Sequence, residues 1–151
     1  LKLAQSESAW SNHATINDED AIDFASQAFE VADNPKDRVF AKLAEAKAFN
    51  HLKFAPESLL SAYIAAVQEA INNIPLETMI AEKIIPLETF VTIGKYLIYS
   101  GYFIEAVNIL LYGAAIYSSA TLCFLLGLSY LRLDRYDEAE DCLIEGNILD
   151  H

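Results

Sequence analysis

A pattern of small and large residues at five positions occurs twice in the second half of this 151-residue chain, and its spacing restricts the fold more than any other feature. The later set lies in the run 122–150, and the earlier set precedes it with identical internal spacing. In order, the two sets are Gly94, Leu97, Ala106, Leu110 and Gly113, and Gly127, Tyr130, Ala139, Leu143 and Gly146. Small residues at these places allow two helices to approach within roughly 8–10 Å, and large residues fill the space around the crossing. Each set therefore predicts two antiparallel helices, joined in the later set by a tight turn at 133–136.

Two weaker copies of the pattern lie earlier in the chain. The first contains Ala9, Ala21 and Ala28, and the second contains Ala46, Phe49, Ser58 and Ala65. The spacing between copies is irregular in this half, since the interval from Ala46 to Gly94 is longer than the interval from Ala9 to Ala46. One helix pair cannot bury its apolar face alone, so successive pairs must stack. The four copies together predict an all-α chain of about four stacked helix pairs.

This pattern resembles the tetratricopeptide repeat (TPR), a helix–turn–helix unit of roughly 34 residues. Cys123 and His151 stand where that repeat usually has a large residue and a proline, and the remaining positions of the last copy agree with it. The resemblance implies a right-handed α-α superhelix, a TPR-like solenoid with one inserted short helix. The run EAEDCLIEGNILDH at 138–151 also has a faint similarity to TPR segments of cilia- and flagella-associated proteins.

The four prolines, at 35, 56, 75 and 86, each mark a predicted helix start, because the first position of a helix needs no backbone N–H. The last two prolines lie in a duplicated segment, IPLET at 74–78 and at 85–89, whose functional meaning stays open. We predict one TPR-like solenoid segment over 1–151, with units at about 1–34, 35–73, 86–118 and 119–151 and an inserted helix at 75–83. Since no Met opens the chain and it ends where a repeat ends, we expect a fragment of a longer array.

The net charge of −12 restricts the class of partner. Nucleic acids and anionic membrane surfaces require basic patches, so we expect instead other proteins with apolar or basic surfaces or peptides, within a hetero-complex. Cys123 and Cys142 are too few for a disulfide scaffold and are interpreted as small core residues in a reducing compartment. No signal peptide is evident. We expect a cytoplasmic location, with cytoskeletal or ciliary structures as one setting.

A membrane span is an alternative for the run 106–131, which contains no charged residue. The run is longer than the roughly 20 residues that cross a bilayer as a helix. The repeat pattern nevertheless continues through the run in register, and 117–119 falls where a turn between repeats is expected. We therefore predict two helices that are apolar on nearly all sides and buried on several of them, covered by a neighbouring repeat or by a partner subunit.

No catalytic, cofactor or metal site is predicted. The three histidines are scattered without the spacing of metal ligands. No Gly-rich loop precedes a Lys-Ser or Lys-Thr pair, so no phosphate-binding loop is evident. The acidic clusters at 18–20 and 137–141 are interpreted as solvated helix starts, because carboxylates near a helix N-terminus complement its dipole.

The TPR resemblance implies a partner-binding groove lined by the first helix of each repeat. Carried over position by position, this groove contains Trp10, Phe40, Lys47, Asn50, His51, Val91, Lys95, Ile98, Tyr99, Phe124, Leu128 and Arg132. The best-known peptide-binding members of the family clamp a carboxylate with Lys, Asn and Arg at these places. The last repeat has Phe124 and Leu128 among them, which favours an extended or helical apolar peptide, or another solenoid surface. The alternative is that several of these residues pack on the inserted helix 75–83.

The resemblance and the lack of a catalytic constellation predict a non-enzymatic scaffold that binds proteins and holds subunits of a larger assembly. The alternative is a TPR-class chaperone that shields an apolar segment of a secreted or assembling partner. The long interval between Ala46 and Gly94 fits a chaperone with three regular repeats less well.

Overall fold

The computed structural model describes residues 18–51 and 56–150, and this part of the chain consists of α-helices and turns without a strand. The helices are α1 (Asp18–Val31), α2 (Pro35–His51), α3 (Pro56–Asn73), α4 (Leu76–Glu82), α5 (Leu87–Tyr99), α6 (Phe103–Ile116), α7 (Ala120–Arg132) and α8 (Tyr136–Asp150). The predicted all-α architecture is thereby confirmed for these residues. The predicted helix at 1–14, which contains Trp10, lies outside them.

The chain divides into two compact units, Leu1–Met79 and Ile80–His151. The division falls inside α4, the short helix predicted as an insertion at 75–83. Both copies of the duplicated IPLET segment begin a helix. The carbonyl of Pro75 accepts a hydrogen bond from the N–H of Thr78 at the start of α4, and the carbonyl of Pro86 accepts one from Thr89 at the start of α5. The duplication therefore repeats a Pro-led helix start.

In the first unit, α1 packs on α2 and α2 packs on α3 through small side chains, since the core on these helices is mostly alanine. Arg38 of α2 ties the three helices together. Its guanidinium pairs with Glu69 of α3, donates a hydrogen bond of 2.9 Å to the carbonyl of Phe29 on α1, and lies 4.0 Å from the centre of the Phe29 ring. The small residues predicted at the helix crossing of this unit differ in burial. Ala46 is fully buried, whereas Ser58 and Ala65 are only half-buried.

The second unit contains the two strong copies of the pattern as two helix pairs, α5–α6 and α7–α8. Each helix packs on the next, and α5 also contacts α7, so the first helices of the two pairs lie side by side. Every helical glycine of this unit lies against a large side chain of its partner helix. Gly94 faces Leu110, Gly113 faces Phe90, Gly127 faces Leu143 and Gly146 faces Phe124.

The turns inside the two pairs have the same backbone hydrogen bonds at equivalent places in the repeat. In the first turn Tyr102 N–H donates to Leu97 O at 2.8 Å, and in the second Arg135 N–H donates to Tyr130 O at 2.9 Å. The residue before each donor has a positive φ, which is +86° at Gly101 and +59° at Asp134. This is the Schellman ending of a helix, in which one left-handed residue allows the next N–H to reach back. The repeat predicted from side chains is therefore also a repeat of the backbone.

The uncharged run 106–131 forms parts of two helices, α6 and α7, with the predicted turn at 117–119 between them. Ser119 caps α7, since its hydroxyl accepts a hydrogen bond from Leu122 N–H. Across the residues described, no helix combines the length and the apolar character that a membrane crossing needs. The predicted burial on several sides is only partly correct, because Leu111 of α6 is 46% exposed, on the same side of the helix as the exposed Ile104 that precedes the run. The neighbouring helices of the unit cover the other side of α6 and leave this one open.

Two glycine substitutions test the crossing geometry. A Cβ at Gly94 would lie 2.6 Å from Cδ2 of Leu110, and a Cβ at Gly146 would lie 2.5 Å from Cε1 of Phe124. Leu110 is fully buried, so its side chain is surrounded by other groups, whereas the Phe124 ring is 37% exposed and has solvent beside it. We expect Gly94→Ala to lower the free energy of unfolding by about 1–2 kcal/mol, because overpacking outweighs the better helix propensity of alanine.

Gly146→Ala is the matched control, and we expect it to change the free energy of unfolding by less than about 0.5 kcal/mol or to raise it slightly. Urea denaturation followed by circular dichroism measures both variants. Equal destabilisation by the two substitutions would contradict the difference in mobility between Leu110 and Phe124.

Candidate functional site

The exposed side of α5 and α7 in the second unit carries two adjoining depressions. The first, of about 380 Å³, is lined by Thr92, Lys95, Tyr96 and Tyr99. The second, of about 500 Å³, is lined by Ile98, Tyr99, Ser100, Gly101, Phe103, Leu128 and Arg132. Tyr99 belongs to both, so the two depressions form one continuous surface. We call this surface the first-helix groove and define it by Lys95, Tyr96, Tyr99, Leu128 and Arg132.

Helical periodicity explains why these side chains meet. Lys95 and Tyr99 are four residues apart on α5, as are Leu128 and Arg132 on α7, so each pair lies on one side of its helix. The opposite side of α5 is buried through Phe90, Ile93 and Leu97, and that of α7 through Leu122, Leu126 and Tyr130. Because α5 contacts α7, the two exposed sides are adjacent. The apolar core thus determines which residues point into the groove.

The groove is cationic and apolar in a strongly acidic protein. Among the described residues, its lining contains Lys95 and Arg132 and no carboxylate. Within the described residues, neither of these two cations forms an ion pair. Tyr99 is 95% exposed and Leu128 is 38% exposed, which leaves an aromatic ring and an aliphatic side chain in water between the charges. Exposed aromatic and apolar groups next to unpaired cations are typical of a surface that binds another molecule.

The structure brings five of the predicted groove residues together, namely Lys95, Ile98, Tyr99, Leu128 and Arg132. Their role in binding stays a prediction. Tyr96 and Phe103 also line the depressions, and the groove predicted from the sequence did not include them. Tyr96 lies four residues after Thr92 and three before Tyr99, and this helical spacing was the signal that would have identified it.

Phe124 has a different position from the one expected for a groove residue. Its ring lies against the backbone of α8 at Gly146, where an added Cβ would meet the ring at 2.5 Å. The ring therefore fills the gap between α7 and α8, as the Phe90 ring does at Gly113 between α5 and α6. The reason is that Cys123, at the place of the usual large residue, is too small to fill that gap.

The remaining predicted groove residues lie elsewhere. Val91 of α5 is half-buried. In the first unit, Phe40 of α2 is half-buried, and Lys47 and Asn50 are exposed. His51 is the last residue of α2, its side chain lies outside the described part, and Trp10 lies outside it altogether.

The two thiols sit on facing helices. Cys123 of α7 is buried and Cys142 of α8 is half-buried, as free cysteines. Burial, and then a nearby carboxylate, raises the pKa of the Cys123 thiol, and burial followed by neighbouring acidic groups raises that of Cys142. Both thiols therefore remain protonated and weakly nucleophilic near neutral pH. In the described ranges, 18–51 and 56–150, no three His, Cys, Asp or Glu side chains form a cluster fit for a metal ion.

No family model matches this chain, and no curated protein matches it in sequence. Among solved structures, the chain is similar to one described as "MamA MSR-1 C2", with 15% sequence identity and a TM-score of 0.41. That alignment covers 99% of this chain and 92% of the other. The helix pairs of the second unit are TPR-like. Their repeated turn hydrogen bonds and glycine contacts carry that assignment, because a TM-score of this size does not by itself establish a shared fold.

Proposed function

We propose that this protein is a non-enzymatic protein-interaction scaffold whose first-helix groove binds a segment of a partner protein within a larger assembly. The observation that carries the proposal is that Lys95 and Arg132, which form no ion pair within the described residues, lie in one groove with the exposed Tyr99 and Leu128. A stack of helix pairs supplies a rigid surface for such a segment, since each pair is held by its neighbours.

The composition of the groove indicates the chemistry of the bound segment. Tyr99 and Leu128 offer apolar contact area, which an apolar side chain of the partner would cover. Lys95 and Arg132 lie beside that area and would pair with a carboxylate of the same segment, because charge-assisted hydrogen bonds are the strongest available to them. The proposed ligand is therefore an apolar peptide segment that carries at least one acidic residue.

We also propose a cellular location for this assembly. We place it in the reducing cytoplasm, as one subunit of a hetero-complex, with cytoskeletal or ciliary structures as the candidate context. Two features of the sequence support this placement: the cysteine content, and the similarity of the run 138–151 to TPR segments of cilia- and flagella-associated proteins.

The test is a selection of binding peptides with the full chain as bait. A random peptide library is displayed on phage, and the selected peptides are synthesised and titrated by fluorescence anisotropy. We expect the selected peptides to combine apolar with acidic residues. We expect Lys95→Glu with Arg132→Glu to weaken their binding by at least about tenfold, which corresponds to about 1.4 kcal/mol. The free energy of unfolding is expected to change little, because both side chains are exposed.

The matched control reverses charge outside the groove. Lys36 of α2 is half-buried and Lys83 is exposed beyond α4, so Lys83→Glu is the closer match to the exposed Lys95. We expect Lys83→Glu to leave peptide affinity within about twofold. Selected peptides that bind the doubly reversed variant as well as the original chain would overturn the proposed groove.

The chaperone function is the second candidate, and the nearly complete exposure of Tyr99 favours it, since a chaperone presents apolar surface to an unfolded client. The two functions differ in their effect on the aggregation of the partner protein. A chaperone keeps an aggregation-prone client soluble at substoichiometric or equal concentration, whereas a scaffold binds a folded or short linear segment without affecting aggregation. Light scattering of a heat-denatured client protein, with and without the chain, distinguishes them.

A further inference from the structure

A second exposed face of the second unit lies on α8, outside the groove. Four residues of α8 follow one another at spacings of four, three and four, namely Asp137, Asp141, Ile144 and Ile148. Helical geometry places residues at these spacings on one side of the helix. All four are exposed, with Ile144 at 51% and Ile148 at 64%. We call this row the outer stripe of α8.

The outer stripe lies away from the core of its helix pair. The buried residues of α8 are Ala139 and Gly146, which by helical periodicity lie on the side opposite Ile144 and Ile148. Gly146 faces Phe124 of α7, which identifies that side as the one that packs inside the pair. No helix of the described second unit covers the stripe. Ile144 and Ile148 therefore remain in water, while the opposite side of α8 packs inside the helix pair.

Carboxylates border the two isoleucines. Glu140 and Glu145 flank the stripe on either side, and Asp137 and Asp141 continue it toward the N-terminus of α8. These four side chains are exposed, and within the described residues none of them forms an ion pair, whereas Glu138 pairs with Arg135. The surface thus has an apolar half and an acidic half along one line. A complementary surface has apolar residues at one end and cations at the other.

We propose that the outer stripe of α8 binds an amphipathic helix of a partner protein. That helix presents two apolar side chains to Ile144 and Ile148, and Lys or Arg side chains to Asp137 and Asp141. Rows with spacings of four and three residues are the ones that two packed helices match to each other. A helix can thus contact the whole stripe along its length. The net charge of −12 favours a partner with basic residues, and in this proposal those residues contact the outer stripe.

A second copy of the chain does not match this surface. A parallel arrangement of two α8 helices places Asp137 and Asp141 against the same carboxylates of the other copy, which repel each other. An antiparallel arrangement places the carboxylates against Ile144 and Ile148 of the other copy, where they lose water without gaining a cation. Both arrangements are unfavourable, so a basic helix of another protein is the proposed occupant.

The test uses a synthetic helical peptide and the full chain. The peptide carries leucines and lysines in the order and spacing that match the stripe, and fluorescence anisotropy measures its affinity. We expect Ile144→Ser with Ile148→Ser to weaken binding by at least about tenfold, and Asp137→Asn with Asp141→Asn to weaken it and to reduce its dependence on salt. A second peptide with the same composition, but with leucines and lysines spread around the helix, is expected to bind at least about tenfold more weakly than the matched one.

Two control variants separate this site from general attraction to an acidic protein. Ile71→Ser removes an isoleucine of similar exposure, 48%, in the first unit and is expected to leave affinity unchanged. Lys95→Glu with Arg132→Glu is also expected to leave it unchanged, so failure here and failure of the groove are distinguishable. Circular dichroism confirms that each variant keeps its helix content.

Equal affinity for the matched and the spread peptides would overturn the proposal. An equal loss with Ile71→Ser would also overturn it, because binding would then follow exposed apolar area rather than the stripe. Dimerisation of the chain in analytical ultracentrifugation that Ile144→Ser with Ile148→Ser abolishes would replace the proposed occupant with a second copy.

Discussion

Replacing Phe90 by alanine is expected to lower the free energy of unfolding by about 3–5 kcal/mol, which is the cost of removing a large aromatic residue from a core. Phe90 is fully buried in α5. Its ring lies on Gly113 of α6 and makes edge contacts with Tyr112 and Tyr117, with ring centres 6.0 and 6.2 Å away. Gly113 has no side chain with which to fill the space, so the cavity stays open. Urea denaturation measures the loss, and hydrogen exchange locates it in α5 and α6.

Phe124→Ala is the matched control for this substitution. Its ring lies on Gly146 in the second helix pair, at the position of the repeat that Gly113 occupies in the first pair, so the contact is equivalent. Phe124 is 37% exposed, however, and less apolar area leaves water when it folds. We expect Phe124→Ala to cost about 1–2 kcal/mol. If the two alanine variants lose the same free energy, then Phe90 does not anchor the first pair in the way its burial indicates.

Replacing Ala139 by leucine is expected to lower the free energy of unfolding by about 1–3 kcal/mol through overpacking. Ala139 is 1% exposed on α8, and its backbone lies close to Gly127 of α7, where an added Cβ would be 3.5 Å from the Ala139 carbonyl oxygen. Three additional carbon atoms find no space there without moving α7 away from α8. Thermal unfolding monitored by circular dichroism measures the effect as a lower Tm.

Ala115→Leu provides the control, since Ala115 is exposed on α6 and leucine fits a helix nearly as well as alanine. We expect it to change stability by less than about 0.5 kcal/mol. An unchanged Tm for Ala139→Leu would refute the repeat register, because that register requires a small residue at this crossing.

The distribution of charge illustrates what composition alone does not reveal. The net charge of −12 led to the expectation of a basic or apolar partner, and it described the chain as a whole. In the second unit, the folded chain separates the signs. Lys95 and Arg132 line the groove on α5 and α7, and the carboxylates concentrate on α8. One acidic protein thereby has one face suited to an acidic segment and another suited to a basic helix.

The helices themselves could be predicted because their signals are local. Proline at a helix start and the spacing of apolar residues depend on neighbours within four or five positions, and the four prolines lie within one residue of the observed starts of α2, α3, α4 and α5. The same holds for the glycines and alanines at the crossings, since only a small residue fits where two backbones approach.

The groove could be predicted in part. Lys95, Tyr99, Leu128 and Arg132 were identified because the TPR resemblance supplies the position of each residue within its repeat. Phe124 was assigned to the groove by the same rule, yet its ring covers Gly146. That position depends on Cys123 being too small to fill the space between α7 and α8. Whether one side chain fills the space that a smaller neighbour leaves depends on side-chain volumes in the folded chain. The position of a residue within its repeat does not specify those volumes.

By itself the sequence determined that this protein consists of helix pairs that repeat at a fixed interval in its second half, because periodicity and small residues act within one helix or between two consecutive ones. The tertiary structure decided what periodicity does not contain, namely which exposed side chains of different helices become neighbours. The contact of α5 with α7 brings Lys95 and Arg132 onto one surface, although a whole helix and two turns separate them in the chain. The packing of Gly146 on Phe124 turns Ile144 and Ile148 outward into water. Both outcomes follow from burying the largest apolar area, which is a property of the assembled helices and not of any single segment.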